Sequence, residues 1–275
     1  MPIELPPGTA AYSDETPPPG NSQLLQLALL FLAGLIGAIA LAVWLSGAVV
    51  WLIPPEVEQQ LGRAIVPAFE AQAEPSDTQD ELNRLLDGLE IHLPEAQRDG
   101  RDYQVLYVPE ETVNALAIPG DRIIIYQGLL AEAESENEVM MVLGHELGHF
   151  ANRDHLRGLS RQLMVRLSLS AFFGDLGALG AIASNSVSSL TNAQFSQSQE
   201  IQADEVGLDL LAKAYGHVAG ATDFFIRIKQ ESVPGIALLA SHPPSEARVR
   251  KLNARIAGKG YERKDKTPLP APLRF

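Results

Sequence analysis

The residues with the clearest chemical capacity are His145-Glu146-Leu147-Gly148-His149, two histidines four positions apart with a glutamate beside the first. At about 100° per residue, four steps leave the two imidazoles roughly 40° apart on one helical face, one turn from each other, so that both reach a single ion. Glu146 is angled away from that ion, where it can take a proton from a metal-activated water instead of binding the metal. Apolar residues at helical spacing from Val139 to Leu147 follow Glu132, Glu134, Glu136 and Glu138, which predicts a helix with acids at its N-terminus and the motif within it. Two imidazoles fill half of a four-coordinate zinc site, so a third protein ligand must come from elsewhere in the chain.

Two positions compete for that place. Read as HExxHxxNxxH, the stretch ending at His155 offers a third imidazole, with Asn152 turning the chain. That arrangement needs a methionine turn downstream, and Met164 is the only methionine beyond His155. Leu156, Leu159, Leu163 and Leu167 also carry the helical period past Asn152, which predicts a continuing helix with His155 as a polar residue on it. The other candidate is Glu200. Glu200, Ala203, Asp204 and Gly207 share one face of a predicted helix, two carboxylates among small residues that admit a second helix closely. Buried carboxylates need a cation or hydrogen-bond donors. Glu200 as metal ligand and Asp204 as the group orienting a ligand histidine meet both needs.

Four ordered motifs then carry a resemblance. They are Asn114-Ala115-Leu116-Ala117-Ile118-Pro119-Gly120 followed by Gly128-Leu129-Leu130, the HELGH, the Glu200-to-Asp204 ExxxD, and His242-Pro243 with Arg248. Over about Asn114 to Leu252 the chain resembles the gluzincin-type zinc peptidases that include the HtpX heat-shock protease, the CAAX prenyl protease and the mitochondrial inner-membrane stress protease. The resemblance implies one Zn2+ held by His145, His149 and Glu200, with Glu146 as general base. It also implies a membrane-tethered endopeptidase acting on polypeptides, in quality control of misfolded membrane or envelope proteins. His242, stiffened by the prolines after it, is expected either to stabilise the oxyanion or to occupy the open metal position at rest. Arg248 is expected to pair with a buried acid such as Asp204 or to contact substrate. Asn114 and Ala115 are expected to enter an edge strand that binds an extended peptide through main-chain hydrogen bonds. The alternatives are a catalytically silent peptide-binding holdase or adaptor on the same fold, and a processing enzyme for one specific peptide.

Such a site needs a body to hold it. Helical periodicity runs through Val57 to Phe69, Leu82 to Leu89, Val139 to Leu147, Ile201 to Leu211, Phe224 to Ile228 and Val249 to Ile256, while Tyr103 to Val108 and Arg122 to Tyr126 are strand-like. The expectation is an α+β, mainly helical zincin-like domain with a small sheet. Ahead of it, Leu24 to Ile53 has no charge over 30 residues, more than the roughly 20 that cross a bilayer. Trp44 and Trp51 suit an interface at its end, and Pro54-Pro55 stops the helix. No base precedes the run and it is too long for a cleaved leader; a buried soluble helix of this length would keep a polar face. Arg63, the only nearby base, weakly favours a cytoplasmic C-terminal side.

The expected division is a disordered Pro-rich tail (1–23), one transmembrane helix (24–53), a zinc metallopeptidase domain (54–258) and a basic Pro-containing tail (259–275). Residues 1–23 carry −3 and 259–275 carry +3, so the net −13 belongs to the domain, and it disfavours nucleic acid as a partner. No feature specifies an oligomeric state. The absence of cysteine excludes a disulfide framework and a thiol nucleophile, and leaves a zinc site only histidine and carboxylate ligands. Leu163 to Leu190, interrupted by Arg166 and Asp175, reads as a packed helix leading to a mobile loop rather than as a second membrane segment. Thr267 to Phe275 reads as extended or disordered, with Leu269 to Phe275 as a candidate intramolecular blocker of the site.

Overall fold

The computed structural model describes residues 21–160, 194–231, 237–243 and 245–275. The charge-free run forms α1 (Asn21–Val49). Over Asn21–Leu41 its mean hydropathy reaches 2.5 with none of that window buried, so the helix is long and apolar enough to cross a membrane. A single 3₁₀ turn (Val50–Leu52) and extended Pro54 separate it from α2 (Pro55–Glu70), which opens on a proline preset for a first helical position. Then follow α3 (Asp77–Glu90), capped by the Ser76 side chain, and the short α4 (Glu95–Arg98).

Three strands come next, β1 (Gln104–Val108), β2 (Ala115–Ile118) and β3 (Arg122–Tyr126), in spatial order β1-β3-β2. β3 pairs parallel with β1 and antiparallel with β2, so Ile124 lies opposite both Leu106 and Leu116. Both faces are covered, which is why β3 can read Ile123-Ile124-Ile125 without a polar break. Ile123 and Ile125 join the large core with α3 and the later helices; Ile124 and Tyr126 join Ile65, Val66 and Phe69 of α2. α2 approaches the β2–β3 turn so closely that a Cβ on Gly62 would stand 2.4 Å from the Gly120 Cα, and Gly120 itself has φ +92°.

After α5 (Gln127–Glu132) come α6 (Glu136–Ala151), α7 (Gln197–Tyr215), α8 (Asp223–Glu231), α9 (Ala237–Ser241) and α10 (Glu246–Lys259). The domain is therefore mainly helical with a small sheet, as the periodicities predict. α6 and α7 pack backbone to backbone. A Cβ on Gly144 would lie 2.9 Å from the Gly207 Cα, and one on Gly148 would lie 2.7 Å from the Ala203 Cα and carbonyl oxygen. The small face of Ala203 and Gly207 thus does what its composition predicts, admitting the HExxH helix at close range.

Two expectations are corrected. The helix does not run on past Asn152: α6 ends at Ala151, Arg153 adopts φ 56°, and a new helical stretch covers 154–160. Leu156 of the new stretch is buried as Leu143 and Leu147 of α6 are, so periodicity alone does not reveal the break; Leu163 and Leu167 lie outside the described residues. The C-terminal end is not loose, nor is it over the metal-ligating residues. Thr267 bonds to Asn137 and Glu136, Thr78 of α3 donates to the Pro272 carbonyl, Leu273 is fully buried, and Phe275 stacks on Tyr107 of β1. A Pro-rich segment can be extended and still be fixed, through its carbonyls and its apolar side chains. The stretch before Asn21 and the Leu163–Leu190 segment lie outside the described residues.

Gly148→Ala is expected to cost about 1–3 kcal/mol by overpacking, read as a lower Tm. Removing Leu269–Phe275 is expected to lower Tm through the loss of buried Leu273, worth about 1.5–3 kcal/mol, without raising any peptidase activity.

Candidate metal centre

α6 presents His145, Glu146 and His149, α7 presents Glu200 and Asp204, and the turn after α9 presents His242. One ligand atom each from His145, His149, Glu200 and His242 lie within 4.8 Å of one another. His145 Nε2 stands 3.1 Å from His149 Nε2 and 3.2 Å from His242 Nδ1, and the latter two are 3.4 Å apart. Glu200 Oε1 is 3.0 Å from His242 Nδ1 and 3.5 Å from His149 Nε2; its Oε2 is 3.6 Å from His145 Nε2. Four ligands held at about 2.0–2.1 Å around a tetrahedral ion would stand about 3.3 Å apart. The three nitrogens and Glu200 Oε1 approach that spacing, at 3.0 to 3.5 Å, while Glu200 comes nearest His145 through its other oxygen.

The outer nitrogens show how the imidazoles are aimed. His145 Nδ1 donates to Asp204 Oδ1 at 2.9 Å and His149 Nδ1 donates to Asp154 Oδ2 at 3.0 Å. Each carboxylate fixes its ring with the proton on Nδ1 and the Nε2 lone pair facing inward. Two lone pairs 3.1 Å apart repel unless a cation sits between them.

The charge balance asks for the same. Glu146, Asp154, Glu200 and Asp204 are buried, and among the described residues the buried guanidinium beside them is that of Arg248. Arg248 bonds Asp204 through Nε at 2.8 Å and Nη2 at 2.7 Å, and its Nη1 lies 2.6 Å from Glu200 Oε2. Burial raises the Asp204 carboxyl, but hydrogen bonds from Arg248 and His145 outweigh it and hold the group below its usual range. For Glu200, burial is likewise overcome by the His242 charge and by hydrogen bonds from His149 and His242, which hold its carboxyl far below. Burial depresses His149, yet its bonds to Asp154 and Glu200 push the imidazole up to about 10. His145 goes the other way: burial lowers it, and the Asp204 bond only partly compensates.

Glu146 differs from the other acids. Both of its oxygens are buried without a hydrogen-bond partner among the described residues, and His242 Nε2, likewise without one, lies 3.8 Å from Oε1. The centre is closed: His145, His149, Glu200 and His242 are each at most 2% exposed, and the Phe195 ring stacks on His149 at 4.1 Å.

Asn114 and Ala115 lie at the start of β2 beside α6, both buried, with Ala115 opposite Ile125 and the Asn114 Oδ1 accepting from the Ala115 N–H. The outer edge of β2 carries no strand among the described residues. His155 is not part of the centre; its Nε2 donates to Glu58 Oε1 at 2.8 Å.

Asp154, Gln199 and Phe195 are the site residues that sequence reasoning missed. Gln199 has two tasks: its Oε1 caps the start of α7 by accepting from the Ser196 N–H, and its Nε2 donates to Asp154 Oδ1 at 2.7 Å. The Ser196-x-x-Gln199 capping box is visible in sequence; the reach of Gln199 to Asp154 is not.

The profile described as "Peptidase family M48" matches residues 76–256. The metalloprotease LoiP of Escherichia coli K12 is 34% identical over 155 residues, 54% of this chain and 61% of LoiP. The mitochondrial metalloendopeptidase OMA1 of Arabidopsis thaliana is 36% identical over 128 residues, 45% of this chain and 25% of that protein. A protease HtpX homolog of Thermococcus kodakarensis is 30% identical over 203 residues, 57% of this chain and 69% of the homolog. The chain thus spans less than two thirds of the length of LoiP and of OMA1.

Asp154→Asn keeps the shape but lets the His149 ring lose its aim. Metal affinity, measured by competition with a chelator, is expected to fall about 10–100-fold.

Proposed function

The chain belongs to peptidase family M48, and from that premise we propose that it is a membrane-anchored zinc endopeptidase. His145, His149 and Glu200 would hold the Zn2+. Bound there, zinc supplies a Lewis acid that polarises a peptide carbonyl and acidifies a water. The protein's own residues supply the rest. Glu146 takes the proton from the attacking water and delivers it to the leaving amine. Asp204 and Asp154 keep both imidazoles in the ligating tautomer, and Arg248 neutralises and orients Asp204 and Glu200. The observation that carries this reading is the buried carboxylate of Glu146, without a hydrogen-bond partner among the described residues, beside four donor atoms that lie within 4.8 Å of one another. A structural acid in that position would have found a partner.

His242 has two candidate roles, and the geometry supports the resting one. Its Nδ1 stands where a fourth ligand belongs, at 3.2 and 3.4 Å from the two Nε2 atoms. It would therefore withdraw to admit water and substrate. Asn114 and Ala115 lead into β2, a buried edge strand with no strand on its outer side among the described residues, where an extended chain can pair through its backbone, a mode that selects for unfolded segments over sequence. With residues 24–53 crossing the bilayer once and 54–258 as the peptidase domain, the substrates are misfolded or misassembled membrane or envelope polypeptides.

The test uses the full-length protein in detergent, supplied with zinc and offered casein. Wild type is expected to cut at many sites, and Glu146→Gln to be at least about 10²-fold slower while keeping its zinc. Equal products from both proteins, or none from either with zinc bound, would instead favour a peptide-binding holdase. Cleavage restricted to a single site would favour a dedicated processing enzyme.

A further inference from the structure

A second group of buried charge lies where the chain leaves the membrane anchor. Glu58, in the first turn of α2, has no exposed surface. Its carboxylate accepts from Arg101 Nη1 at 2.8 Å and Nη2 at 2.9 Å, from Arg153 Nη2 at 3.1 Å and from His155 Nε2 at 2.8 Å. Burial works against this charge, but the bonds from His155 and Arg101 overcome it and hold the carboxyl well below the usual range. Packing alone does not call for such a group, since an apolar side chain stabilises a buried helix contact as well or better.

What Glu58 touches gives it a task. Arg153 and His155 flank Asp154, the residue that aims His149. Arg153 sits at φ 56°, a conformation that a non-glycine residue keeps when its surroundings hold it there. A parallel contact runs beside this one. Trp51, on the turn that ends the anchor, lies 5.5 Å under the Arg157 guanidinium, whose Nη1 is 3.8 Å from Asp154 Oδ1. Both contacts run from the membrane side to the segment that carries Asp154.

We infer that Glu58 is a positioning residue of the metal centre: from the first helix after the anchor it fixes Arg153 and His155 and, through Asp154 between them, the imidazole of His149. This rests on the metal reading of His145, His149 and Glu200 proposed above. It joins the seating of the membrane helix to metal retention through the side chains of Glu58, Arg153, His155 and Asp154.

The test uses full-length protein in detergent with zinc as the probe. The variants are Glu58→Gln, Arg153→Gly with His155→Gln, Asp154→Asn, and Glu58→Gln combined with Asp154→Asn. The Arg153/His155 pair of substitutions leaves Glu58 bonded to Arg101 and places glycine where φ is positive, so it keeps the fold should Glu58→Gln lose it. Zinc affinity is read by chelator competition, ligand geometry by the visible spectrum of the Co2+-substituted protein, and folding by Tm.

Glu58→Gln and the Arg153/His155 variant are each expected to weaken zinc about tenfold and to alter the cobalt spectrum. Glu58→Gln is expected to add little once Asp154 is already Asn, because both act along one path. A merely structural role for Glu58 would lower Tm and leave the cobalt spectrum unmoved. Wild-type zinc affinity and spectrum in both variants, or full additivity with Asp154→Asn, would overturn the inference. If wild type itself held no zinc, the metal reading would fall and this inference with it.

Discussion

Glu200 reaches the two imidazoles of α6 because α7 lies against α6 with nothing larger than a methyl group between them at Gly144, Gly148, Ala203 and Gly207. Glycine is otherwise a poor helix residue, and two of these stand in the middle of α6. Their cost is offset by what the contact allows: Asp204 meets His145, Glu200 joins the cluster, and Arg248 from α10 closes over both acids. A longer side chain anywhere on that seam would move all three distances at once. The spacing of the donor set is thus a property of helix packing before it is a property of the donors.

The same seam gathers negative charge, and the rest of the centre manages it. Arg248 and the two Nδ1 donors satisfy the acids that point outward, while the inward-facing lone pairs and the free carboxylate of Glu146 remain. A low-dielectric pocket with such an imbalance is stable as a cation site and strained without one. The anchor-side network around Glu58 follows the opposite rule. There each carboxylate oxygen is fully met by donors, which makes it a rigid joint and not a binding place.

Much of this was legible in the sequence, for physical reasons that differ by residue. His145, His149, Glu200 and Asp204 stood out because helical periodicity places i and i+4 together, and Ala203 and Gly207 announced a close neighbour. The helices followed from their apolar stripes, and the strands from β-branched runs. The turn at Asn152-Arg153 was hidden because the leucine period persists across it. Asp154 gave no signal since its contact with His149 depends on that turn. Glu58 and Arg101 carry no motif, His155 read as a rival ligand or a polar residue on a continuing helix, and only the fold brings residues 58, 101 and 153–155 together. The docked C-terminal end was missed for a related reason: Pro-rich sequence encodes extension but not the partner that receives it.

On the proposed function, these helices build a four-ligand zinc site from nitrogen and oxygen donors alone. Zinc-edge X-ray absorption on the purified full-length protein measures it directly. About one zinc per chain is expected, in a four-coordinate N/O shell at about 2.0–2.1 Å, with the scattering of three imidazoles from His145, His149 and His242. A chain that retains no zinc, or a six-coordinate shell with fewer than two imidazoles, would contradict it.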